Sequence, residues 1–243
     1  MNVGVFKAKF KKSELSKAIS WYREKAIPAV AAHKGGRGAM LLTDPATGEV
    51  ISIGIYEDEA AAKAFNPKFE QLSDELKQFV DGPAPKRQLF EMSASLALEN
   101  KALAEKAVKA FNEGDLEQIA RMTAPDATYK APGGVELRGP QQVKEYFKTW
   151  RKAFPDAQIT VEKIVVQGHN VATQGTFTGT HSGPFTTPGG EIAPTGKKVS
   201  GAYAEVAVID RGLVVSDQLY YDQVQLLQQL GLMPAQQPAK RTS

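Results

Sequence analysis

Cysteine is absent from this 243-residue chain, and histidine occurs only three times. The lack of thiols excludes disulfide frameworks, thiolate zinc sites and cysteine nucleophiles, and it removes any need for an oxidising compartment. Three scattered histidines do not make a metal centre, so we expect no metal site. Acid–base chemistry must then fall mainly to carboxylates and tyrosines.

Long apolar runs are also missing. No run approaches the ~18 residues that a membrane span requires. The first residues, Met1–Lys12, lack the apolar core of a signal peptide. We therefore expect a soluble, cytoplasmic protein with no membrane partner.

Neither sign of charge dominates the sequence. Lys and Arg total 30 against 27 Asp and Glu, which gives a formal net charge of +3. The densest basic cluster, from Lys7 to Lys12, alternates with apolar residues as a half-solvated strand does. A nucleic-acid interface needs a broader basic stripe interleaved with aromatic residues, so we expect no nucleic-acid partner.

The length favours two domains, since single domains typically hold about 100–150 residues. The first, residues 1–95, is predicted to run strand, helix, strand, strand, helix, strand, which is the order of a ferredoxin-like fold. Pro28 lies inside the first long helix and should kink or shorten it. The predicted segments are Asn2–Phe10, Ser13–Ala32, Ala39–Thr43, Glu49–Tyr56, Glu59–Phe65 resuming after Pro67 to Val80, and Arg87–Met92.

The second domain, residues 96–232, changes from helical to strand-like patterns at Pro155-Asp156. Helices followed by antiparallel strands predict an α+β layer in which the helices cover one concave face of a sheet. Residues 233–243 have no pattern and are predicted to form a disordered tail. The predicted helices are Leu96 to 112–115, Leu116–Met122 and Pro140–Phe154; the strands are Ala127–Lys130, Ile159–Gln167, Val171–His181, Lys198–Ile209 and Leu213–Tyr221.

Seven short motifs follow one another between Glu99 and Leu232. They are Phe111–Asp115, Met122–Asp126, Gly139–Val143, Ala153–Asp156, Thr178–Gly183, Pro194–Lys197, and Tyr221-Asp222 followed by Leu226–Gly231. In this order they make the region resemble the SnoaL-like polyketide cyclases and the ester cyclases, which share the nuclear-transport-factor-like cone fold. The resemblance covers over half of the chain.

The resemblance implies a small cone with an apolar pocket, no metal and no organic cofactor. The aspartate at the position of Asp222 would take a proton from a carbon flanked by carbonyls, and the carbanion would close a ring by aldol attack. The chain departs from the family between Gly212 and Asp222. Glu, His and Trp are common there, where this sequence has Ser216, Asp217 and Gln218. A specific polyketide substrate therefore does not follow.

The residues around Asp222 also indicate that it could act as a general base. It follows Leu219–Tyr221, and a carboxylate among aromatic side chains loses solvation and becomes a stronger base. The alternative is that Asp222 caps the helix that starts at Gln223.

His181 shares a strand face with Phe177 by period two and is a candidate partner for an enolate oxygen. Its alternative is an exposed position at the end of a hairpin.

A further set of residues is predicted to bind the substrate. Phe147 and Trp150 are three apart on one helix and must face the same way. Tyr129 and Tyr220 could each donate a hydrogen bond to a polarised carbonyl. The alternative for the aromatic residues is ordinary core packing. The set consists of Tyr129, Phe147, Trp150, Tyr203, Gln218 and Tyr220.

Two other segments suggest contacts beyond the pocket. Ser182–Lys197 is rich in Pro and Gly and exceeds the usual hairpin length, which suggests a lid or a subunit contact. Residues 1–92 resemble the dimeric α/β-barrel domains of antibiotic-biosynthesis monooxygenases, on topology and on Gly36–Tyr56. That resemblance implies a homodimer or a higher homo-oligomer.

Three functions remain open from the sequence. The first is a cofactor-independent cyclase or isomerase with Asp222 as its base, acting on a small, largely apolar carbonyl compound. The second is a small-molecule-binding protein without chemistry, because a fold does not fix a function. The third places a monooxygenase activity in the N-terminal domain.

Overall fold

The computed structural model describes residues 1–187 and 190–233. These residues form two compact units, the first comprising Met1–Ser93 and the second beginning at Ala94. Within the described ranges no helix is long and apolar enough to cross a membrane. Pro188 and Gly189 of the predicted lid segment, and residues 234–243 of the predicted tail, lie outside the described residues.

The N-terminal unit is a four-stranded sheet with helices packed on one face. All of its strand pairs are antiparallel, and the order across the sheet is β2-β3-β1-β4. Residues on alternate positions of β1 and β3, such as Phe6, Val50 and Tyr56, form the buried core under the helices. The elements are β1 (Asn2–Lys9), α1 (Leu15–Trp21), α2 (Ile27–Ala32), β2 (Gly36–Thr43), β3 (Glu49–Tyr56), α3 (Glu59–Ala64), α4 (Asn66–Leu76) and β4 (Gln88–Glu91).

The first helical segment is interrupted close to Pro28, as the sequence predicts. A wide π-helical turn, Tyr22–Ala26, separates α1 from α2, and Pro28 stands in the first turn of α2. Proline has no backbone N–H to donate, so the helical hydrogen-bond ladder is disturbed one turn before it. The helix therefore has one wider, π-helical turn before Pro28 and then continues as the α-helix α2.

The second face of the N-terminal sheet carries exposed apolar side chains. Met40, Leu42 and Phe90 are exposed by 43%, 51% and 49%, although large apolar residues usually avoid water. The strand registers place Phe90 opposite Val3, and Met40 opposite Ile53, so the apolar side chains form one continuous patch. We call this patch the open sheet face.

The C-terminal unit is an α+β layer, as predicted. Its six-stranded sheet has the order β6-β5-β12-β11-β8-β7, in which only the β5–β12 pair is parallel. The elements are α5 (Leu96–Glu113), α6 (Leu116–Met122), β5 (Thr123–Ala131), β6 (Val135–Arg138), α7 (Gly139–Ala153), β7 (Gln158–Gln167), β8 (Asn170–Thr180), β9 (Phe185–Thr187), β10 (Gly190–Ile192), β11 (Lys198–Asp210), β12 (Leu213–Tyr221) and α8 (Gln223–Gln229).

Polar caps define the ends of several helices. Ser95 accepts a hydrogen bond from the Leu98 backbone N–H at the start of α5. Gly114, at φ 74°, ends that helix in the left-handed conformation that glycine adopts without strain. Asp115 then caps α6 by accepting from the Gln118 N–H at 2.9 Å. These local signals explain why the sequence pattern located α5 and α6 closely.

Three short strands escaped the sequence prediction. β6 follows two glycines with positive φ, Gly133 and Gly134, and contributes only four residues to the sheet edge. β9 and β10 form a separate two-stranded ribbon inside the long Pro/Gly segment. Strands of three or four residues are too short for a period-two pattern to reveal them.

Candidate active site

The C-terminal unit holds a cavity of about 150 Å³ between its sheet and its helices. Apolar cavities of roughly this volume accommodate a benzene-sized ring. The wall draws on α5, α6, α7 and α8 and on β5, β7, β8, β11 and β12. Its apolar side chains include Phe111, Ile119, Met122, Val143, Phe147, Trp150, Phe177 and Leu219.

Strand alternation brings a row of polar side chains to the floor of this cavity. Asp217 and Tyr221 lie on the cavity face of β12, at positions separated by an even number of residues. Tyr221 pairs with Tyr203, and Asp217 pairs with Tyr129 across the parallel β5–β12 ladder. Glu205, two residues beyond Tyr203 on β11, is therefore a diagonal neighbour of Asp217.

Glu205 and Asp217 form a hydrogen-bonded carboxyl pair. Burial raises the pKa of Asp217 well above its ordinary value, and the charge of Glu205 and the hydrogen bond to it raise that pKa further. Burial also raises the pKa of Glu205, although its hydrogen bond with Asp217 opposes that shift. Two neighbouring carboxylates cannot both ionise at low cost, and the larger rise in the pKa of Asp217 makes it the member of the pair that holds a proton more firmly.

Two tyrosine hydroxyls beside this pair, those of Tyr129 and Tyr203, have no hydrogen-bond acceptor among the described residues. Burial raises the pKa of Tyr129 well above its usual value, raises that of Tyr203, and raises that of Tyr221 to about 12, so all three are protonated at neutral pH. Among the described residues, the hydroxyls of Tyr129 and Tyr203 and one carboxyl oxygen of Asp217 are buried without a hydrogen-bond partner. Buried polar groups are normally paired, so the polar floor is suited to a ligand oxygen.

Asp222 reaches the same cavity from its wall, immediately after β12. Its Oδ1 accepts a hydrogen bond from the Gln225 backbone N–H at 2.9 Å and caps α8. Asp222 is exposed, so its aromatic neighbours do not bury it in the way the sequence suggested. Tyr220 points away from Tyr221 by strand alternation and is itself 48% exposed.

His181 lies outside the cavity wall, and it is not exposed either. It is fully buried beside Phe154 and Phe185, with ring centroids 5.2 and 6.3 Å away. Its Nδ1 accepts a hydrogen bond from the Thr195 backbone N–H at 3.3 Å. His181 therefore joins the end of β8 to the long Pro/Gly segment, while Phe177 on the same strand face lines the cavity.

The other predicted binding residues separate into two groups. Tyr129, Phe147, Trp150 and Tyr203 all line the cavity, and Phe147 and Trp150 do so from the same face of α7. Gln218 and Tyr220 are exposed and do not line it. They occupy the even positions of β12, opposite in direction to Asp217 and Tyr221, so period two excludes them from the floor.

The sequence analysis did not identify Glu205, and it named Asp217 only as a departure from the family pattern. A signal was available, because Glu205 is the only charged residue between Ala202 and Ile209 and shares its strand parity with Tyr203. Asp217 shares its parity with Tyr221 in the same way. An isolated carboxylate on the inward face of an apolar strand indicates a buried functional group.

The structure also bears on metals and on the predicted lid. Within the described ranges there is no group of three His, Cys, Asp or Glu residues that could hold a metal ion.

The described part of Ser182–Lys197 packs on the core through Phe185, whose ring lies 4.8 Å from that of Trp150 in the cavity wall. The segment thus supports the wall of the cavity from behind.

Comparisons with known proteins agree with this architecture. The family model of the SnoaL-like polyketide cyclases matches residues 101–230. AclR from Streptomyces galilaeus, a candidate hydroxylase, is 31% identical, with a TM-score of 0.51 over 57% of this chain and 89% of its own. A candidate SnoaL-like polyketide cyclase from Jannaschia sp. CCS1 is 18% identical, with a TM-score of 0.53 over 60% and 100%.

A third solved structure is IdmH from Streptomyces antibioticus, a candidate polyketide cyclase. It is 29% identical, with a TM-score of 0.47 over 54% of this chain and 98% of its own. No curated protein matches the chain.

Proposed function

Since this chain belongs to the SnoaL-like polyketide cyclase family through residues 101–230, we propose that it is a cofactor-independent cyclase or isomerase. Its substrate is a small, largely apolar carbonyl compound, and the reaction is a proton transfer or an aldol closure. The observation that carries the proposal is the proton-sharing Glu205–Asp217 pair on the floor of an apolar cavity. Perturbed carboxyl groups in a cleft are the usual sign of acid–base chemistry.

The proposed step begins with the substrate carbonyl oxygen at the unpartnered Tyr129 hydroxyl, which donates to it. The Glu205 carboxylate takes a proton from the adjacent carbon, and the electron pair of the C–H bond moves onto the carbonyl oxygen as an enolate. Donors positioned at that oxygen stabilise the developing charge. The enolate carbon then either regains a proton or attacks a second carbonyl, whose oxygen takes up the proton.

Asp222 is the alternative general base, because the family resemblance implies that the aspartate at its position removes the substrate proton. The two positions differ along the sheet: Glu205 pairs with Leu219, which lies three residues, or roughly 10 Å of strand, before Asp222. Asp222 also directs one oxygen to the cap of α8. A base with a raised pKa works more efficiently near neutral pH, which favours Glu205.

The test compares Glu205→Gln with Asp222→Asn in the full chain. The assay follows exchange of the acidic C–H of an aromatic β-ketoester for deuterium by proton NMR. Glu205→Gln should slow exchange by about 10²–10⁴-fold, the usual contribution of a general base, and Asp222→Asn by less than about 10-fold. The matched control is Asp115→Asn, which alters an equivalent helix cap away from the cavity. The opposite ranking would assign the base to Asp222.

The unpartnered tyrosine hydroxyls favour a second candidate function, a binding protein without chemistry. In that case the β-ketoester should bind the wild-type protein and Glu205→Gln with similar affinity in calorimetric titrations. No deuterium exchange above the buffer rate should accompany the binding.

For the N-terminal unit we propose a ferredoxin-like fold that pairs with a second copy of the chain. The antiparallel order β2-β3-β1-β4 and the open sheet face support this proposal. A monooxygenase activity is the remaining alternative for this unit. Oxygen consumption with a quinol, measured on Glu205→Gln so that the C-terminal chemistry is disabled, tests it directly.

A further inference from the structure

The N-terminal unit contains a second, smaller cavity of about 40 Å³ between its sheet and its helices. Aromatic rings form much of the wall, among them Phe6, Trp21 and Phe65. Arg87, just before β4, supplies the charged group of the wall. Arg87 is half-buried there, and removing part of a charged group from water is costly unless it is paired.

The hydrogen bonds of Arg87 account for only part of its guanidinium. Nη1 donates to the Ala62 carbonyl oxygen at 2.9 Å and to the Asn66 side-chain oxygen, and the guanidinium also hydrogen-bonds with the Tyr56 hydroxyl. The guanidinium carbon lies 5.0 Å from the ring centroid of Tyr56 and 5.7 Å from that of Phe69, within the range of cation–π attraction. Nη2 is buried and, among the described residues, has no hydrogen-bond partner.

Two glycines create the space that the guanidinium occupies. Gly4 on β1 and Gly54 on β3 face each other in the strand register. A Cβ at Gly4 would overlap the Arg87 guanidinium, and a Cβ at Gly54 would lie 2.7 Å from the Tyr56 hydroxyl oxygen. The sheet is thus bare of side chains at the point where Arg87 and Tyr56 meet.

Other polar groups of the cavity are already satisfied. The Tyr22 hydroxyl donates to the Met40 carbonyl oxygen and is 3.0 Å from the Ser52 hydroxyl, which can donate to it. In the described part of the chain no carboxylate forms an ion pair with Arg87. Burial lowers the pKa of Arg87, yet a guanidinium remains a cation in proteins. The cavity therefore holds one positive charge with a free donor and no internal anion.

We infer that this cavity is a second ligand site, separate from the C-terminal cavity, in which Arg87 binds the carboxylate of a small aromatic acid. The volume corresponds to roughly three water-sized spaces, enough for a carboxylate group. A flat ring can then lie against the aromatic wall at the cavity mouth. A tetrahedral phosphate needs more donors than the single free nitrogen Nη2 offers.

The test uses the full chain with sodium benzoate and its neutral analogue benzamide. Calorimetric titration gives the affinities, and the side-chain N–H resonances of arginine in ¹⁵N-labelled protein locate the binding. Benzoate should bind at least about 10-fold more tightly than benzamide, because a charge-assisted hydrogen bond contributes about 1.5–3 kcal/mol. The Arg87 resonance should shift with benzoate, and that of the exposed Arg37 should not.

Two variants separate ligand binding from stability. Arg87→Met keeps a long apolar side chain and should reduce benzoate affinity by about 10-fold or more. Asn66→Asp places a carboxylate where the Asn66 oxygen already accepts from Arg87, so it neutralises the cation without emptying the cavity. It should weaken benzoate to a similar extent even if Arg87→Met fails to fold. Arg37→Met, at an exposed ion pair with Glu57 in the same unit, should have no effect.

Several outcomes would overturn the inference. They are no benzoate binding up to its solubility limit, equal binding of benzamide, or an unshifted Arg87 resonance while benzoate binds elsewhere. Unchanged benzoate affinity in a folded Asn66→Asp would do the same. Tighter binding of inorganic phosphate than of benzoate would contradict the carboxylate class.

Discussion

At the scale of single residues, the parity of a strand decides which side chains reach the active site. Gln218 and Tyr220 were predicted to bind substrate, and both point away from the cavity. Asp217 and Tyr221, one position removed from each, form its floor. The sequence identifies the strand Leu213–Tyr221 correctly, but which of its two faces turns inward depends on how β12 pairs with β5 and β11. That pairing is a tertiary property, and the local sequence contributes only the parity that Asp217 shares with Tyr221.

The raised pKa of Asp217 predicts how stability depends on pH. A carboxyl group whose pKa is higher in the folded than in the unfolded chain binds more protons when folded. Its contribution is therefore present at low pH and is lost as pH rises from the unfolded value, about 4, towards the folded one. In Asp217→Asn this decline should be absent, so the difference in the free energy of unfolding between pH 5 and pH 8 should be smaller than in the wild type. Urea unfolding at a series of pH values measures the effect, and an unchanged slope would contradict a buried, protonated Asp217.

At the scale of secondary-structure elements, α8 closes one side of the cavity through specific polar contacts. The Gln229 side chain donates to the Ser200 carbonyl oxygen at 2.8 Å and accepts from the Ser200 N–H at 2.7 Å, which ties α8 to β11. Asp222 fixes the first turn of the same helix. The sequence predicts this helix and the cap, since both depend on neighbouring residues. The clamp between Ser200 and Gln229 joins residues 29 positions apart and could not be predicted.

The cap of α8 makes a prediction about its stability. Asp222→Ala should destabilise the protein by about 1 kcal/mol, and Asp222→Asn should cost little because asparagine caps nearly as well. Asp115→Ala, at the corresponding position of α6, should cost a similar amount. Thermal unfolding of the three variants measures this. Equal stability of Asp222→Ala and wild type would show that the cap contributes nothing to the free energy of unfolding.

At the scale of the whole molecule, the sequence pattern predicts the order of the longer helices and strands. The βαββαβ pattern matches the observed strands of the first unit, and the change at Pro155 precedes the four long strands of the second, β7, β8, β11 and β12. The family resemblance implies an apolar pocket in the second unit, but the size of either cavity could not be predicted, because each depends on side chains from five or more separate elements. Sequence periodicity reports which face of an element is apolar, and not how much space remains between packed faces.

The open sheet face predicts an oligomer. A contiguous exposed apolar patch commonly marks an interaction surface. Replacing Leu42 or Phe90 by Lys should convert a dimer into a monomer in sedimentation velocity, with the fold unchanged by circular dichroism. Leu96→Lys alters an equally exposed leucine in the other unit and should leave the dimer intact. A wild-type protein that sediments as a monomer at high concentration would contradict the proposed pairing.

The parallel β5–β12 pair has a consequence for folding. Asp217 meets Tyr129 across this ladder although 88 positions separate them in the chain. Contacts between such distant residues form slowly, because a long loop must close first. β5 and β11 can become adjacent to their shared partner only after the chain has been made as far as Tyr221. Until then both strands present unpaired edges that can join other chains, so a nascent C-terminal unit depends on rapid completion to avoid aggregation.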